Sequence, residues 1–343
     1  MANPSAIHAA LERVFHGTPA EPLALAEARY IIFSDQHRGQ RDGADDFRRS
    51  EATYLAALAS YDARGFTLIM LGDAEELWEC QPQKALPAYA NVAAVERGFN
   101  AAGRYVRVFG NHDDRWMDAA EVERHLVPRF GPLAVREALR WQVTLGERQL
   151  GELFLVHGHQ GTWGSDKNRK FSRWVVRNIW RPIQKLIPIR LTTPAKDECL
   201  RERHDVAMYE WTQAHPGVAL VAGHTHRPVW TSRTHVQQME ERLAELRRNE
   251  ANPADIAALE QAIAARRKKD KYCDKEHRKR HLSPRPAYFN SGCCCFEDGN
   301  VTGIEIEGQQ IRLVKWEGSG GQERRVELAA AALPEVFDQL GRP

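Results

Sequence analysis

The chain has 343 residues, a formal net charge of +2, 43% apolar residues and six cysteines, enough for one large α/β domain with insertions or two smaller ones. A charge balance so near neutral excludes a global attraction to nucleic acid and leaves only local basic patches to consider. No apolar run reaches the roughly 18 residues of a transmembrane helix. The start Met1-Ala2-Asn3-Pro4-Ser5-Ala6-Ile7-His8 lacks the basic and apolar regions of a signal peptide, so a cytoplasmic protein is expected.

Cys80, Cys199, Cys273 and the triplet Cys293-Cys294-Cys295 show neither paired zinc-ribbon spacing nor a disulfide framework, and reduced thiols are expected. The triplet reads either as small residues packed in a strand or as metal or redox chemistry.

In chain order, residues 1–26 predict a short helix from Ala6 to Phe15 and then a Pro-bearing linker. Arg29-Tyr30-Ile31-Ile32-Phe33 predicts a strand, with Ser34-Asp35-Gln36-His37 just past its end. A carboxylate and an imidazole two residues apart in an extended segment point to one side, although Ser and Asp are also ordinary turn residues. Asp46 to Arg64 predicts a helix with Tyr54, Leu55, Leu58 and Tyr61 on one stripe, ended by Gly65. Strand Thr67–Leu71 leads into Gly72-Asp73-Ala74-Glu75-Glu76-Leu77-Trp78-Glu79, and Tyr105–Phe109 into Gly110-Asn111-His112-Asp113-Asp114. Leu153–Val156 leads into His157-Gly158-His159, and Val218–Ala222 into Gly223-His224-Thr225-His226.

Five strands thus deliver Asp, Asn or His at their carboxyl ends, where open α/β sheets place their ligand sites. Hard oxygens plus imidazoles without thiolate suit Mn, Fe, Zn or similar divalent ions. Seven candidate ligands, Asp35, His37, Asp73, Asn111, His157, His224 and His226, exceed one tetrahedral ion and fit two ions sharing a carboxylate. Such a pair can clamp the attacking and leaving oxygens of a phosphoryl displacement and generate hydroxide near neutral pH. That chemistry hydrolyses a phosphate ester or anhydride without a covalent enzyme intermediate.

The ordered set D-x-H, G-D-x-x-E, G-N-H-D, H-G-H and G-H-x-H resembles the calcineurin-like metallophosphoesterase superfamily over roughly residues 29–232. The resemblance implies an α/β fold, a four-layer αββα sandwich of two mixed sheets. It implies Asp35, His37 and His226 on one metal, Asn111, His157 and His224 on the other, and Asp73 bridging. His112 would protonate the leaving oxygen or steady the phosphoryl group, with Asp113 orienting it. Glu76 would fix neighbouring loops, and Arg38, Arg115 and His159 are candidate substrate contacts.

Gly72-Asp73-Ala74-Glu75-Glu76-Leu77-Trp78 is similar to the G-D-x-x-E-x-W signature of UDP-2,3-diacylglucosamine pyrophosphatases, which insert a basic, aromatic helical cap after the fourth motif. Within residues 161–215 here, Lys167 to Arg190 interleaves Lys and Arg with Trp174, Trp180 and aliphatics. This fits a cap over an anionic, greasy substrate or a helix on an anionic membrane, or else an amphipathic core helix with a solvated Arg face. Two departures from that branch, His112 in place of Arg and His157-Gly158-His159 in place of H-G-D, leave monoester, diester and anhydride substrates open. A pyrophosphate-linked nucleotide or lipid is the leading expectation, with a phosphodiesterase, nuclease or phosphomonoesterase next and a non-catalytic metal-binding scaffold last. A nucleic-acid partner is open but not favoured.

Residues 233–283 predict a charged helical hairpin, with Val236, Met239, Leu243 and Leu246 on one limb and Ile256, Leu259 and Ile263 on the other. Asn252-Pro253 marks the restart, Asn as N-cap and Pro at the first helical position. Basic runs at Arg266-Arg267-Lys268-Lys269 and Arg278-Lys279-Arg280-His281 are either attractive to phosphate-rich partners or simply solvated. Core strands are expected to return over 284–318, closing with a hairpin of Val301–Glu307 and Gln310–Trp316 joined by Gly308-Gln309. The tail, 319–343, reads as a Gly-Ser linker and a short Ala-rich helix.

Overall fold

The computed structural model describes residues 4–161, 198–230, 252–270, 286–318 and 320–341, with positions 240, 243–244 and 246–248. In chain order its strands are β1 (Ala20–Ala24), β2 (Arg29–Phe33), β3 (Thr67–Leu71), β4 (Tyr105–Val108), β5 (Val135–Arg136), β6 (Ala138–Leu145), β7 (Arg148–Val156), β8 (Val218–Ala222), β9 (Pro228–Val229), β10 (Tyr288–Ser291), β11 (Val301–Glu307), β12 (Gln310–Glu317) and β13 (Arg324–Ala332). Its helices are α1 (Pro4–Gly17), α2 (Glu51–Ala63), α3 (Pro82–Ala88), α4 (Ala90–Ala101), α5 (Ala119–His125), α6 (Val127–Phe130), α7 (Glu198–Gln213), α8 (Pro253–Asp270) and α9 (Leu333–Leu340).

Two mixed sheets result, one ordered β1-β6-β7-β8-β10-β9 and the other β13-β12-β11-β2-β3-β4-β5. Within them β2, β3 and β4 run parallel, as do β7, β8 and β10. Their near-continuous apolar sequences follow from burial on both faces, the usual state of parallel strands. Alternate residues serve different cores. Ile32, Ile69, Leu71 and Val108 meet Leu153, Leu155 and Val221 between the sheets, whereas Ile31, Phe33, Leu68 and Met70 pack outward with Tyr54, Leu58 and Tyr61 of α2. On the far side Phe154, Val156, Leu220 and Ala222 pack with Ile7, Leu11 and Val14 of α1 and Met208 and Trp211 of α7. The layers run helix, sheet, sheet, helix, the four-layer α/β sandwich expected.

Several segments differ from their sequence expectations. The N-terminal linker contains β1, an edge strand paired in parallel with β6; its Pro22 is tolerated because an edge strand can leave one side unbonded. The Ala-rich tail is not a helix but strand β13, which pairs antiparallel with β12 from Gln310↔Ala332 to Glu317↔Arg324. Alanine's helix preference is a weak prior that tertiary pairing overrides, and Arg325 secures the strand through bonds to Glu305 of 2.6 and 2.5 Å. The tail's helix is α9, whose Leu333, Val336, Phe337 and Leu340 enter the core between the sheets.

Gly308 and Gln309 carry φ of 57° and 66°, the paired left-handed residues of a primed turn, so the terminal hairpin forms as expected. Asn252 Oδ1 accepts from Ala254 N at 3.0 Å, capping α8. Arg247 reaches Glu260 of α8 at 2.5 Å. The stretch Lys167 to Arg190, most of Val236 to Leu246 and Arg278 to His281 lie outside the described residues, while α7, counted with the cap in the sequence, belongs to the outer helical layer. No helix among the described residues is long and apolar enough to cross a membrane.

Phe337 is almost fully buried between the sheets. Phe337→Ala is expected to destabilise the fold by about 3–5 kcal/mol through lost transfer energy and the cavity left behind, read as a lower denaturant midpoint at unchanged slope.

Candidate metal centre

The carboxyl ends of β2, β3 and β4 in one sheet and of β7 and β8 in the other meet at one edge of the sandwich. The loop after β2 zips onto the loop after β3: the amides of Asp35, Gln36, His37 and Arg38 donate to the carbonyls of Gly72, Asp73, Asp73 and Ala74 at 2.9–3.1 Å. Asp35, His37, Asp73, His224 and His226 all have φ between 52° and 68°. This left-handed backbone is sparsely populated by non-glycine residues and concentrates at functional sites. Among the described residues only Arg41 and Gln309 otherwise share it without being glycine.

Two glycines make the approach feasible. A Cβ on Gly110 would lie 2.1 Å from Asp73 Oδ1, and one on Gly72, at φ 88°, would lie 2.4 Å from the His157 ring.

The side chains converge as two clusters, one of Asp35, His37 and His226 and one of Asp73, His157 and His224, each with ligand atoms within 4.8 Å of one another. Asp73 Oδ2 lies between the clusters, 3.1 Å from His157 Nε2 and 3.7 Å from His37 Nε2. Asp35 Oδ1 lies 3.2 Å from His226 Nε2, which is itself 3.0 Å from His37 Nε2. Asp35 Oδ1, Asn111 Oδ1 and His157 Nε2 are buried without a hydrogen bond, a state that native structures seldom leave uncompensated. A donor set of hard oxygens and imidazoles with buried, unsatisfied atoms among them fits divalent metal ions.

The imidazoles are oriented from behind. His157 Nδ1 lies 2.8 Å from the Leu71 carbonyl, which selects the tautomer with Nε2 facing the centre. Glu76 Oε2 sits 3.1 Å from His37 Nδ1 and 2.7 Å from His112 Nδ1. The Trp78 indole stacks on the His112 ring at 4.5 Å and donates to the Asn111 carbonyl at 2.5 Å. His224 is held by its own amide, which donates to Asp35 Oδ2 at 2.8 Å.

Two sequence expectations, for Asp113 and Arg38, resolve differently. Asp113 does not reach the His112 ring: its oxygens accept from the amides of Gly110, Ala74 and Asp73 at 2.6, 2.9 and 3.3 Å, and Glu76 is the carboxylate at His112. Arg38 turns away from the centre into a buried network, donating to Glu75 at 3.0 Å, to Glu96 at 3.2 Å and to the Ala74 carbonyl at 3.1 Å. Arg115 is paired with Glu121. His159 is buried beside His157, ring centroids 5.4 Å apart. His204 of α7, which no motif in the sequence singles out, stands 5.1 Å from the His224 ring and 2.5 Å from the Gly158 carbonyl.

The electrostatics follow from this packing. Burial opposes ionisation of Asp35, but His226 and His157 outweigh it and hold the carboxyl well below its usual range. Asp73 is lowered likewise, by His157 and His112 against burial. Burial favours neutral imidazole at His157 and His226, yet the facing carboxylates, Asp73 and Asp35 for the first and Asp35 for the second, push each up to about 9. His224, buried and facing His204 and His157, is lowered well below the ordinary value. Burial would raise Glu76, but His112 and His37 bring it down to about 2.

A family model described as calcineurin-like phosphoesterase matches residues 28–228. No curated protein matches the chain. Among solved structures, vacuolar protein sorting 29 from Cryptosporidium parvum is similar over 89% of this chain and 98% of that chain, at 10% identity and a TM-score of 0.36.

Metal ligation needs neutral imidazoles, whereas His157 and His226 keep their protons up to about pH 9 without metal. Metal uptake at pH 7 is therefore expected to release protons, and affinity to climb as pH rises towards 9, measured by titration calorimetry in buffers of different ionisation enthalpy. The stability of the metal-free chain runs the opposite way. Pairs whose folded pKa is raised from 6.5 to about 9 contribute fully below pH 6.5 and lose that contribution as pH rises through 9. Glu76→Gln, which removes the charge behind two imidazoles, is expected to weaken metal affinity by about 10–100-fold, read from metal titration of the folded variant.

Proposed function

The chain belongs to the calcineurin-like phosphoesterase family and is a metal-dependent phosphoester hydrolase; within that class, we propose that it is a dinuclear enzyme whose leading substrate is a pyrophosphate-linked nucleotide or lipid. The observation that carries the dinuclear reading is the position of Asp73 Oδ2 between the two imidazole clusters, 3.1 Å from His157 and 3.7 Å from His37. On this reading Asp35, His37 and His226 would hold one ion and Asn111, His157 and His224 the other, with Asp73 available to both. Such ions would supply charge to neutralise phosphoryl oxygens and to make water acidic enough to attack near neutral pH.

The protein's own groups supply position and protons. Glu76, ionised above about pH 2, places its charge 2.7 Å from His112 Nδ1, and on this reading Nε2 is the atom that gives a proton to the departing oxygen. Stacking on Trp78 keeps the ring from rotating away, and the His112 amide donates to Asp73 Oδ1 at 2.7 Å, tying the proton donor to the shared carboxylate. His159 remains a candidate substrate contact. Support for a pyrophosphate comes from the resemblance carried by the Trp78 signature; in the structure Trp78 braces the loop that bears Asn111 and His112. Support for a diester or monoester comes from His112 itself, part-exposed and positioned as a general acid for an ester oxygen. Contact of residues 167–190 with a lipid surface belongs to the first of these readings.

The deciding experiment is hydrolysis of an aryl monoester, an aryl diester, a cyclic nucleotide and a UDP-linked lipid pyrophosphate by the chain stripped and reloaded with Mn²⁺. Turnover confined to the lipid pyrophosphate is the expected result; preference for the diesters moves the assignment to a phosphodiesterase. His112→Ala is expected to slow turnover by about 10²–10⁴-fold, the range for loss of one general acid, with bound manganese unchanged. Silence on every substrate with both ions bound would leave a metal-binding scaffold.

A further inference from the structure

A second donor set of different chemistry lies against the metal centre. Past β10 the chain places Cys293, Cys294 and Cys295 in a loop that bends at Cys294, none in a disulfide. Cys294 packs into the outer hydrophobic cluster, and its amide donates to the Asp35 carbonyl at 3.2 Å, which ties this turn to the first metal motif. The bend at Cys294 leaves Cys293 and Cys295 both facing His226. Cys295 Sγ lies 3.7 Å from His226 Nδ1, and one ligand atom from each of Cys293, Cys295 and His226 lies within 4.8 Å of the others.

Tetrahedral coordination at metal–sulfur and metal–nitrogen distances of about 2.3 and 2.0 Å separates sulfur from nitrogen by about 3.5 Å, close to the spacing observed. The other imidazoles show how unusual this is. His37 and His157 turn their outer nitrogen to oxygen, Glu76 and the Leu71 carbonyl, as metal-binding histidines generally do. His226 turns its outer nitrogen to sulfur.

We propose that Cys293, Cys295 and His226 Nδ1 form a binding site for a soft, thiophilic cation, separate in chemistry from the oxygen-rich centre and sharing one imidazole with it. Two sulfurs and one nitrogen select ions such as Zn²⁺, Cd²⁺ or Cu⁺ over the hard ions that prefer carboxylate and amide oxygen. As each sulfur–metal bond forms, the thiol proton passes to solvent. Cys295 is part-exposed and gives the ion a way in, whereas Cys293 is buried. A neutral imidazole has a single lone pair, so an ion on Nδ1 leaves Nε2 protonated, a donor in place of a ligand. Occupancy therefore withdraws His226 from the ion that Asp35 and His37 would hold, and leaves Nε2–H to donate to Asp35 Oδ1, 3.2 Å away. That consequence rests on the dinuclear reading above; the sulfur site itself does not.

The test uses the full chain with Cys199→Ser and Cys273→Ser, stripped of metal, kept reduced and titrated with Cd²⁺ alone while sulfur-to-cadmium charge-transfer absorption is followed. A saturable band is expected, retained in Cys294→Ser and in His157→Ala, which disrupts the oxygen-rich centre, and lost when Cys293→Ser and Cys295→Ser are combined. Cys295→Ser alone, at the part-exposed position, is expected to remove about half the absorption, one of two thiolate ligands being gone, and serves if the double variant does not fold. No band in the starting chain, or a band that survives loss of both cysteines, overturns the proposal. In chain preloaded with Mn²⁺, Cd²⁺ is expected to displace manganese only when the two cysteines are present. A cysteine-dependent band with manganese undisturbed overturns the sharing of His226, and a band from a chain that never takes up manganese overturns the dinuclear reading while the sulfur site stands.

Discussion

Asp35 and Asp73 are withdrawn from solvent and both come within 4.0 Å of His157 Nε2, and two carboxylates buried this closely are tolerable only with positive charge between them. In the metal-free chain that charge is carried by protons on the surrounding imidazoles, which is why the carboxyls are pulled down and His157 and His226 up. Divalent ions provide the same compensation with greater charge density. The left-handed backbone at Asp35, His37, Asp73, His224 and His226 costs about 1–3 kcal/mol at each position. It persists because strands from two separately packed sheets end here and share the hydrophobic core beneath.

The next shell shows how consecutive residues serve opposite purposes. Glu75 and Glu76 point to different sides of one loop. Glu75 enters a buried network with Arg38, Arg107 and Trp116, extended by Glu96, which accepts from Tyr54 at 3.0 Å and Tyr105 at 3.1 Å. Glu76 faces the centre and braces His37 and His112. Asp113 lies between the two systems, 3.6 Å from Arg107 and bonded to the amides of the glycine-bearing loops. The arrangement is a rigid charged floor beneath the third motif, and it accounts for the Arg38 guanidinium being held away from the cluster that its neighbour His37 faces.

The centre also depends on chain beyond the matched family region, which ends at residue 228. Asn290 on β10 donates to the Gly223 carbonyl at 2.7 Å, and Ser291 lies 2.8 Å from Ser34, so the returning strand locks the first and last motifs to each other. More than 60 residues separate that strand from β8 in sequence, yet the two pair directly, Tyr288 with Leu220. The same return delivers Cys293 and Cys295 to the back of His226.

The sequence by itself determined the parts whose signal is local. Five apolar strands each ending in Asp, Asn or His, the glycines beside them, the Gly308-Gln309 hairpin and the Asn252 cap are all written within a few adjacent residues, and so are the class of fold and the divalent-metal chemistry. The tertiary structure decided whatever depends on partners distant in the chain. Ala329 to Ala332 became a strand because β12 offered an unpaired edge. Glu76 took the place at His112 that its neighbour Asp113 was expected to fill, because the loops after β3 and β4 fold over each other. Arg38 was drawn to Glu96 and His204 to His224 across separations of 58 and 20 residues. A side chain's direction at a loop is set by which charge, carbonyl or edge lies within about 3 Å, and that proximity arises only once the two sheets have packed.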